Sequence, residues 1–330
     1  MNKNYLPKKF KKEILAILKK RKFENLQAIQ AIEDFFIKKR GYIFKMPKPQ
    51  TPVILLLSGG LDSVISWALL MNLYQLKVYP LVRIAEESGL EYKKTRKIIK
   101  IFCLIFKKRY PELFQEPFFF KQNLAVPEIE KEYTQSLKEN KANLFELITD
   151  KNKFIKEQPD VMSSFISQAL QYRTLLKIQK KEKIDTIFFG LISSDGEAVR
   201  AQTFTSLRSM MFHACNTTQD YHLQISSLAI EKELGHFLSA KELIQANKYL
   251  NLPLESTWSC QKKDSRYHCG ECPNCGNRRY KFSIAKVDDK TIYLSDYKYS
   301  LLGFYYKKYF QTHFPLLHKL FKYFYNNLIH

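Results

Sequence analysis

A strand, a glycine pair and a helix in immediate succession constrain this chain more than any other feature. Thr51 to Leu57 is a short, uninterrupted apolar run, the composition of a strand buried on both faces of a parallel sheet. Val64 to Met71 has no helix breaker and reads as a buried helix. Between them stand Ser58, Gly59, Gly60, Leu61, Asp62 and Ser63. A sharp turn from strand into helix leaves backbone N–H groups free at the positive end of a helix dipole, where an anion is stabilised. Two glycines let the backbone turn and approach a ligand with no Cβ in between. Ser58 and Ser63 add hydroxyl donors, and Asp62 is suited to hold Mg²⁺ or to cap the helix. The plain alternative is a tight turn with a capping aspartate. In this setting the hexapeptide favours a nucleotide-phosphate site built from Ser58, Gly59, Gly60, Leu61, Asp62 and Ser63. The chain contains no Gly-x-x-x-x-Gly-Lys-Ser/Thr segment, so the Walker loop is excluded.

Beyond this turn, apolar runs and helical periodicities alternate. Strands are expected at 52–57, 77–82, 117–122, 184–189 and 222–226, with helices at 61–73, 91–110, 160–182, 203–215 and 239–250. The last helix opens on Ser239 and Glu242, a capping-box spacing. The pattern is that of an α/β domain with a doubly wound, parallel, five-stranded sheet. Its ligand crevice is expected beyond the strand C-termini, lined by the phosphate loop, by Arg83 to Glu91 and by Gly190 to Gly196, with Gly190 and Asp195 as nucleotide-binding candidates. Four segments follow: a basic helical extension (1–50), the nucleotide-binding domain (51–250), a cysteine-rich segment (251–286) and an aromatic, basic tail (287–330). In the extension, Phe10, Ile14, Ile17 and Leu18 are spaced for one helix face and Leu26, Ile29, Phe36 and Ile37 for another. The stretch from 123 to 160 is polar and reads as an insertion or lid. The tail is expected to pack on its own domain, with a membrane surface, RNA stacking or a partner groove left open.

Four of the six cysteines, Cys260, Cys269, Cys272 and Cys275, follow the spacing C-x₈-C-x₂-C-x₂-C. Four thiolates fill a tetrahedral Zn²⁺ shell and leave no open position, so a structural zinc is expected. His268 is adjacent but would be a fifth ligand. The N-terminus lacks the apolar core of a secretory leader, and no apolar run approaches the roughly 20 residues that span a bilayer, so a cytoplasmic location is expected. The formal net charge of +22 attracts polyanions in general. Its lysines are scattered and not blocked, so nucleic acid is the less favoured partner and an acidic protein or ATP itself is served by the same field.

Ser58 to Ser63 resembles the pyrophosphate loop of ATP pyrophosphatases. Leu252 to Cys260, His268 to Cys275 and Arg278-Arg279 resemble the C-terminus of 7-cyano-7-deazaguanine synthases, whose N-terminal loop is the same hexapeptide. Ser239 to Ile244 is similar to the helix leading into their cysteine segment, and Gln171 to Arg173 lies near a family arginine that opens a core helix. The resemblance covers roughly residues 51 to 285. It implies an adenine-nucleotide α-hydrolase-like fold, with ATP and Mg²⁺ at the loop and structural Zn²⁺ at the cysteines. It also implies an ATP-dependent ligase that adenylates 7-carboxy-7-deazaguanine, releases pyrophosphate and captures ammonia to give the amide and then the nitrile, a step of queuosine-type biosynthesis. Asp62, Ser63 and Arg173 become the catalytic candidates, with Arg173 as a phosphate contact.

Two crevice segments depart from that family. An Asp-Tyr-Gly-Gln-like run is replaced by Arg83 to Glu91, and a Pro-Asp-Cys-Arg-like run is missing between Ser193 and Arg208. These are substrate-reading positions, so the acceptor stays open. One alternative is a divergent paralogue that uses the adenylate on a partner protein in anti-phage defence. Another is an RNA-binding or tRNA-modifying protein with a zinc knuckle. A homodimer is compatible with all of these readings.

Overall fold

A computed structural model describes residues 5–21, 24–84, 89–121, 159–193, 203–262 and 267–297. Asp195, the middle of the loop at 83–91, the insertion at 123–158 and the tail from 298 onward fall outside these residues.

Two helices come first, α1 (Lys11–Lys20) and α2 (Leu26–Arg40). There follow β1 (Pro52–Leu56), α3 (Leu61–Asn72), β2 (Lys77–Ile84), α4 (Gly89–Arg109) and β3 (Phe118–Lys121). The second half runs α5 (Pro159–Lys180), β4 (Thr186–Phe189), α6 (Thr203–Thr218), β5 (Gln224–Ser227), α7 (Ala240–Leu250) and α8 (Pro273–Ala285). All strand pairings are parallel, in the order β3-β2-β1-β4-β5. The five expected strands and five expected helices are present, with ends shifted by up to a few residues. Helix α8 was not among them, although Pro273 at its first turn is a helix-start signal.

Chain order reverses at β1. From β1 the chain first steps outward through β2 to β3, then returns across to β4 on the other side, next to β1. In doubly wound sheets such a reversal is the switch point, beyond the C-terminal ends of the two strands that flank it, here β1 and β4. Helix α3 is the pivot, buried on nearly every side from Ser63 to Met71. Its Trp67 is fully buried and meets the Phe106 ring of α4 edge-on at 4.7 Å. Helix α7 packs on α3 and α8 on α7, and Ser239 with Glu242 forms the expected capping box.

The N-terminal extension joins this core. Ile14, Leu18, Ile29 and Phe36 are buried, whereas Phe10 and Ile37 stay exposed and fall off the expected faces. Helix α2 lies on α6, and a buried ion network ties the two. Arg208 donates from Nη1 and Nη2 to both carboxylate oxygens of Glu231, each at 2.9 Å, and from Nε to Glu33 of α2 at 2.9 Å. Lys232 bonds the second oxygen of Glu33, and the Ser226 hydroxyl donates to Glu231. Burial alone would lower the Arg208 pKa, but Glu231 and Glu33 raise it; burial likewise opposes ionisation of Glu231, and Arg208 overcomes it to hold that carboxyl below its ordinary range.

Candidate active site and cysteine cluster

The loop after β1 is ordered by its own side chains. Gly59 adopts φ +74°, a conformation strained for other residues. The Ser58 hydroxyl accepts from the Gly60 N–H at 3.2 Å and lies 3.0 Å from the Ser63 hydroxyl, which donates to the Gly60 carbonyl at 3.1 Å. Gly60 sits at the N-cap of α3 with no side chain capping it. The first N–H groups of α3 are thus not taken by a cap, as the sequence pattern of an anion site requires.

Gly190 follows β4 and lies against this loop. A Cβ there would stand 2.8 Å from both Cα and Cβ of Ser63, so glycine lets the two crevice walls close on each other. Ser193 continues that wall, its N–H bonded to the Leu238 carbonyl at 2.8 Å.

Asp62 meets α8 through Lys281. Its Oδ2 accepts from Lys281 Nζ at 3.2 Å. Its Oδ1 is sealed from solvent and has no hydrogen-bond partner. Burial raises the carboxyl above its ordinary pKa, and Lys281 and Arg278 offset this only in part. An orphaned carboxylate oxygen beside open helix N–H groups fits a divalent cation bound together with phosphates. Sequence reasoning missed Lys281, which lies 219 residues from Asp62 along the chain.

Arg173 is a correction. Its Nε donates to the Ile184 carbonyl at 2.5 Å, and Nη2 pairs with Asp220 and, at 3.4 Å, with Asp185. Those residues immediately precede β4 and β5, at the N-terminal end of the sheet. Strands of four to five residues separate that end from the loop after β1 by roughly 13–17 Å. Arg173 is a structural anchor and does not reach the crevice.

The cysteine segment buttresses the loop. The Trp258 backbone N–H donates to the Gly59 carbonyl at 3.3 Å, and Lys94 of α4 lies 3.6 Å from the centre of the Trp258 ring. Arg278 is buried and bonds the Thr291 and Thr257 hydroxyls, each at 2.9 Å, and the Leu254 carbonyl at 2.6 Å. It thereby fixes α8 to the segment that leads to Cys260, which opens with a 3-10 turn at Leu254–Ser256.

The sulfurs of Cys260, Cys269, Cys272 and Cys275 all lie within 4.8 Å of one another. The Cys269–Cys275 and Cys272–Cys260 separations are both 3.9 Å, against about 3.8 Å along the edge of a tetrahedral zinc–sulfur shell. The donor set therefore fits a closed four-thiolate metal site. Burial opposes the Cys269 thiolate, but the N–H groups of Glu271 and Cys272 aimed at its sulfur bring that thiol down to about 7. His268 is not a fifth ligand: its Nε2 accepts from the Ser259 N–H at 3.1 Å, and burial, then Arg278, hold its pKa down to about 3.

A family model described as queuosine biosynthesis protein QueC matches residues 52–286. A 7-cyano-7-deazaguanine synthase from Campylobacter fetus subsp. fetus is 27% identical over 118 residues, covering 36% of this chain and 50% of that protein. The synthase of Methanothermobacter thermautotrophicus is 41% identical over 56 residues, 17% of this chain and 25% of that one. That of Nitratiruptor sp. is 27% identical over 121 residues, 36% and 51% respectively. The chain thus spans about half, or less, of the length of these curated relatives. Among solved structures, the U34-tRNA thiolase NcsA from Methanococcus maripaludis with its 4Fe-4S cluster is similar at a TM-score of 0.35 and 14% identity, covering 79% of this chain and 72% of that one.

Proposed function

The chain belongs to the family described as queuosine biosynthesis protein QueC, and on that premise we propose that it is an ATP-dependent carbon–nitrogen ligase acting on a 7-deazaguanine-type carboxylate. The observation that carries this reading is the loop at the switch point, with open N–H groups at the start of α3 and the unpartnered Oδ1 of Asp62 beside them. The N–H groups of Gly59 and of the first turn of α3, with the hydroxyls of Ser58 and Ser63, hold the β- and γ-phosphates, and Gly190 lets the segment after β4 close against Ser63. Asp62 supplies a carboxylate to a divalent cation, which when bound neutralises phosphate charge.

With ATP so held, a carboxylate oxygen of the substrate attacks the α-phosphorus, and the bond to the pyrophosphate oxygen breaks. Ammonia then adds at the acyl carbon, loses a proton and expels AMP to leave the amide. A second ATP activates the amide oxygen; loss of AMP and of both nitrogen-bound protons gives the nitrile. The substrate brings its own nucleophile, so the protein's part is positioning and charge stabilisation. In this reading Cys260, Cys269, Cys272 and Cys275 hold a structural zinc that keeps the 254–260 segment against the loop. Metal analysis of the purified protein then finds about one zinc per chain; finding none removes the zinc.

A second reading passes the adenylate to a partner protein. It is favoured by the extension outside the family match, whose Arg21 and Glu24 bond the two flanks of the loop after β4, at Ser193 and at Phe204 and Thr205. Incubation with ATP and 7-carboxy-7-deazaguanine, with and without ammonia, followed by mass spectrometry separates them. A free nitrile supports the first reading and an adduct on a co-expressed protein supports the second. Absence of pyrophosphate release under all conditions removes both.

A further inference from the structure

Helix α8 carries one side chain that neither the cysteine cluster nor the core requires. Cys275, Arg278 and Phe282 are buried, at spacings of three and four residues that set them on one face. Lys281 stands at the edge of that stripe. Its side chain does not run to solvent: only 18% of it is exposed, and Nζ ends 3.2 Å from Oδ2 of Asp62. The phosphate loop from Ser58 to Ser63 contains no lysine or arginine of its own. The pair is also incomplete, because the other Asp62 oxygen is buried and unbonded. A partly buried ion pair with an unsatisfied oxygen is a poor device for stability. It is a reasonable resting state for two groups that are completed by a ligand.

Resting on the ATP reading above, we propose that Lys281 is the phosphate-contacting cation of this site. It partners Asp62 while the loop is free and turns to a non-bridging phosphate oxygen when the nucleotide arrives, which leaves Asp62 to the divalent cation. A lysine suits this exchange, since its ammonium is a compact point charge with three donors on a flexible stem. The attraction favours the move, because a pyrophosphate group carries more charge than one carboxylate. The supporting element is held at several points: Cys272 caps the start of α8, Cys275 lies in its first turn and Arg278 is bonded on several sides. A helix pinned in this way presents Lys281 to the loop at fixed distance, which is how a site gains precision.

The test is calorimetric binding of inorganic pyrophosphate and of ATP to the full chain, without turnover. Lys281→Met is expected to weaken pyrophosphate binding by about tenfold or more, the scale of a lost charge-assisted hydrogen bond, and Lys281→Arg to recover most of it. The deciding comparison uses an Asp62→Asn background, which folds with no unpaired carboxylate once Lys281 is also neutral. If Lys281→Met still weakens pyrophosphate binding there, the lysine acts on phosphate. If the effect vanishes in that background, Lys281 serves only Asp62 and the proposal is overturned. A wild-type chain that binds neither pyrophosphate nor ATP overturns the ATP reading itself, and this inference with it.

Discussion

The carboxylate of Glu231 is fully buried and that of Asp62 partly so, and their surroundings differ in kind. Glu231 has each oxygen bonded, to Arg208 on both and to Ser226 and the Glu233 N–H besides. Asp62 has one oxygen on Lys281 and the other on nothing. The carboxyl of Glu231 is held below its ordinary pKa, whereas that of Asp62 is pushed above it. A saturated network has no valence left for a ligand and can only hold structure together. An unsaturated pair keeps one oxygen without a partner and so has valence left for a ligand. The first cluster joins the N-terminal extension to the sheet domain; the second is the candidate site.

If this contrast is right, breaking the saturated cluster costs stability and breaking the other costs activity. Arg208→Met leaves two buried glutamates without their main partner, and denaturant unfolding is expected to show a loss of about 3–5 kcal/mol. A loss near zero would mean the network is dispensable. Asp62→Ala is expected to lower pyrophosphate release by about a hundredfold or more while the melting temperature moves little. A variant that melts early but turns over normally would invert the comparison.

The pH dependence sharpens the same point. A glutamate with a depressed folded pKa stabilises the native state above its unfolded value, and that contribution is lost as pH falls through the folded value. Acid melts of wild type and Glu231→Gln should therefore converge as pH drops below the ordinary glutamate range, with wild type the more stable at neutral pH. The smallest effect concerns Glu24, whose carboxylate accepts from the N–H groups of Phe204 at 3.0 Å and Thr205 at 2.8 Å in the first turn of α6. Glu24→Ala removes a cap, and thermal melts are expected to register about 1 kcal/mol.

Much of the fold was legible before any coordinates. The strands at 52–57 and 77–82 and the buried helix after Ser63 are short-range signals, set by side-chain period and by breakers at their ends. The cysteine spacing was equally local, because x₂ intervals present paired sulfurs whatever surrounds them. The faces of α1 and α2 were read less well: Phe10 and Ile37 fit a periodic stripe but are 75% and 50% exposed. A helix near its ends shows a face that no neighbour covers, and periodicity cannot say where a neighbour stops.

Arg173 shows the limit most plainly. The sequence places it correctly on a helix between β3 and β4, but says nothing about which end of the sheet that part of the helix reaches. The crossover to β4 sets this, and it brings Arg173 beside Asp220 at the N-terminal end of the sheet. Lys281 is the converse, an unremarked lysine carried to Asp62 by the helix that starts at the cysteines.

The sequence by itself therefore determined the glycine turn between β1 and α3, the alternation that builds the parallel sheet, and the four-cysteine cluster, because each depends on residues a few positions apart. Only the tertiary structure decided which charges meet: Lys281 with Asp62, Glu24 with α6, Arg208 with Glu33 of the extension. Those pairings span 175 to 219 residues, and the chain's crossovers, not its local pattern, bring their members together.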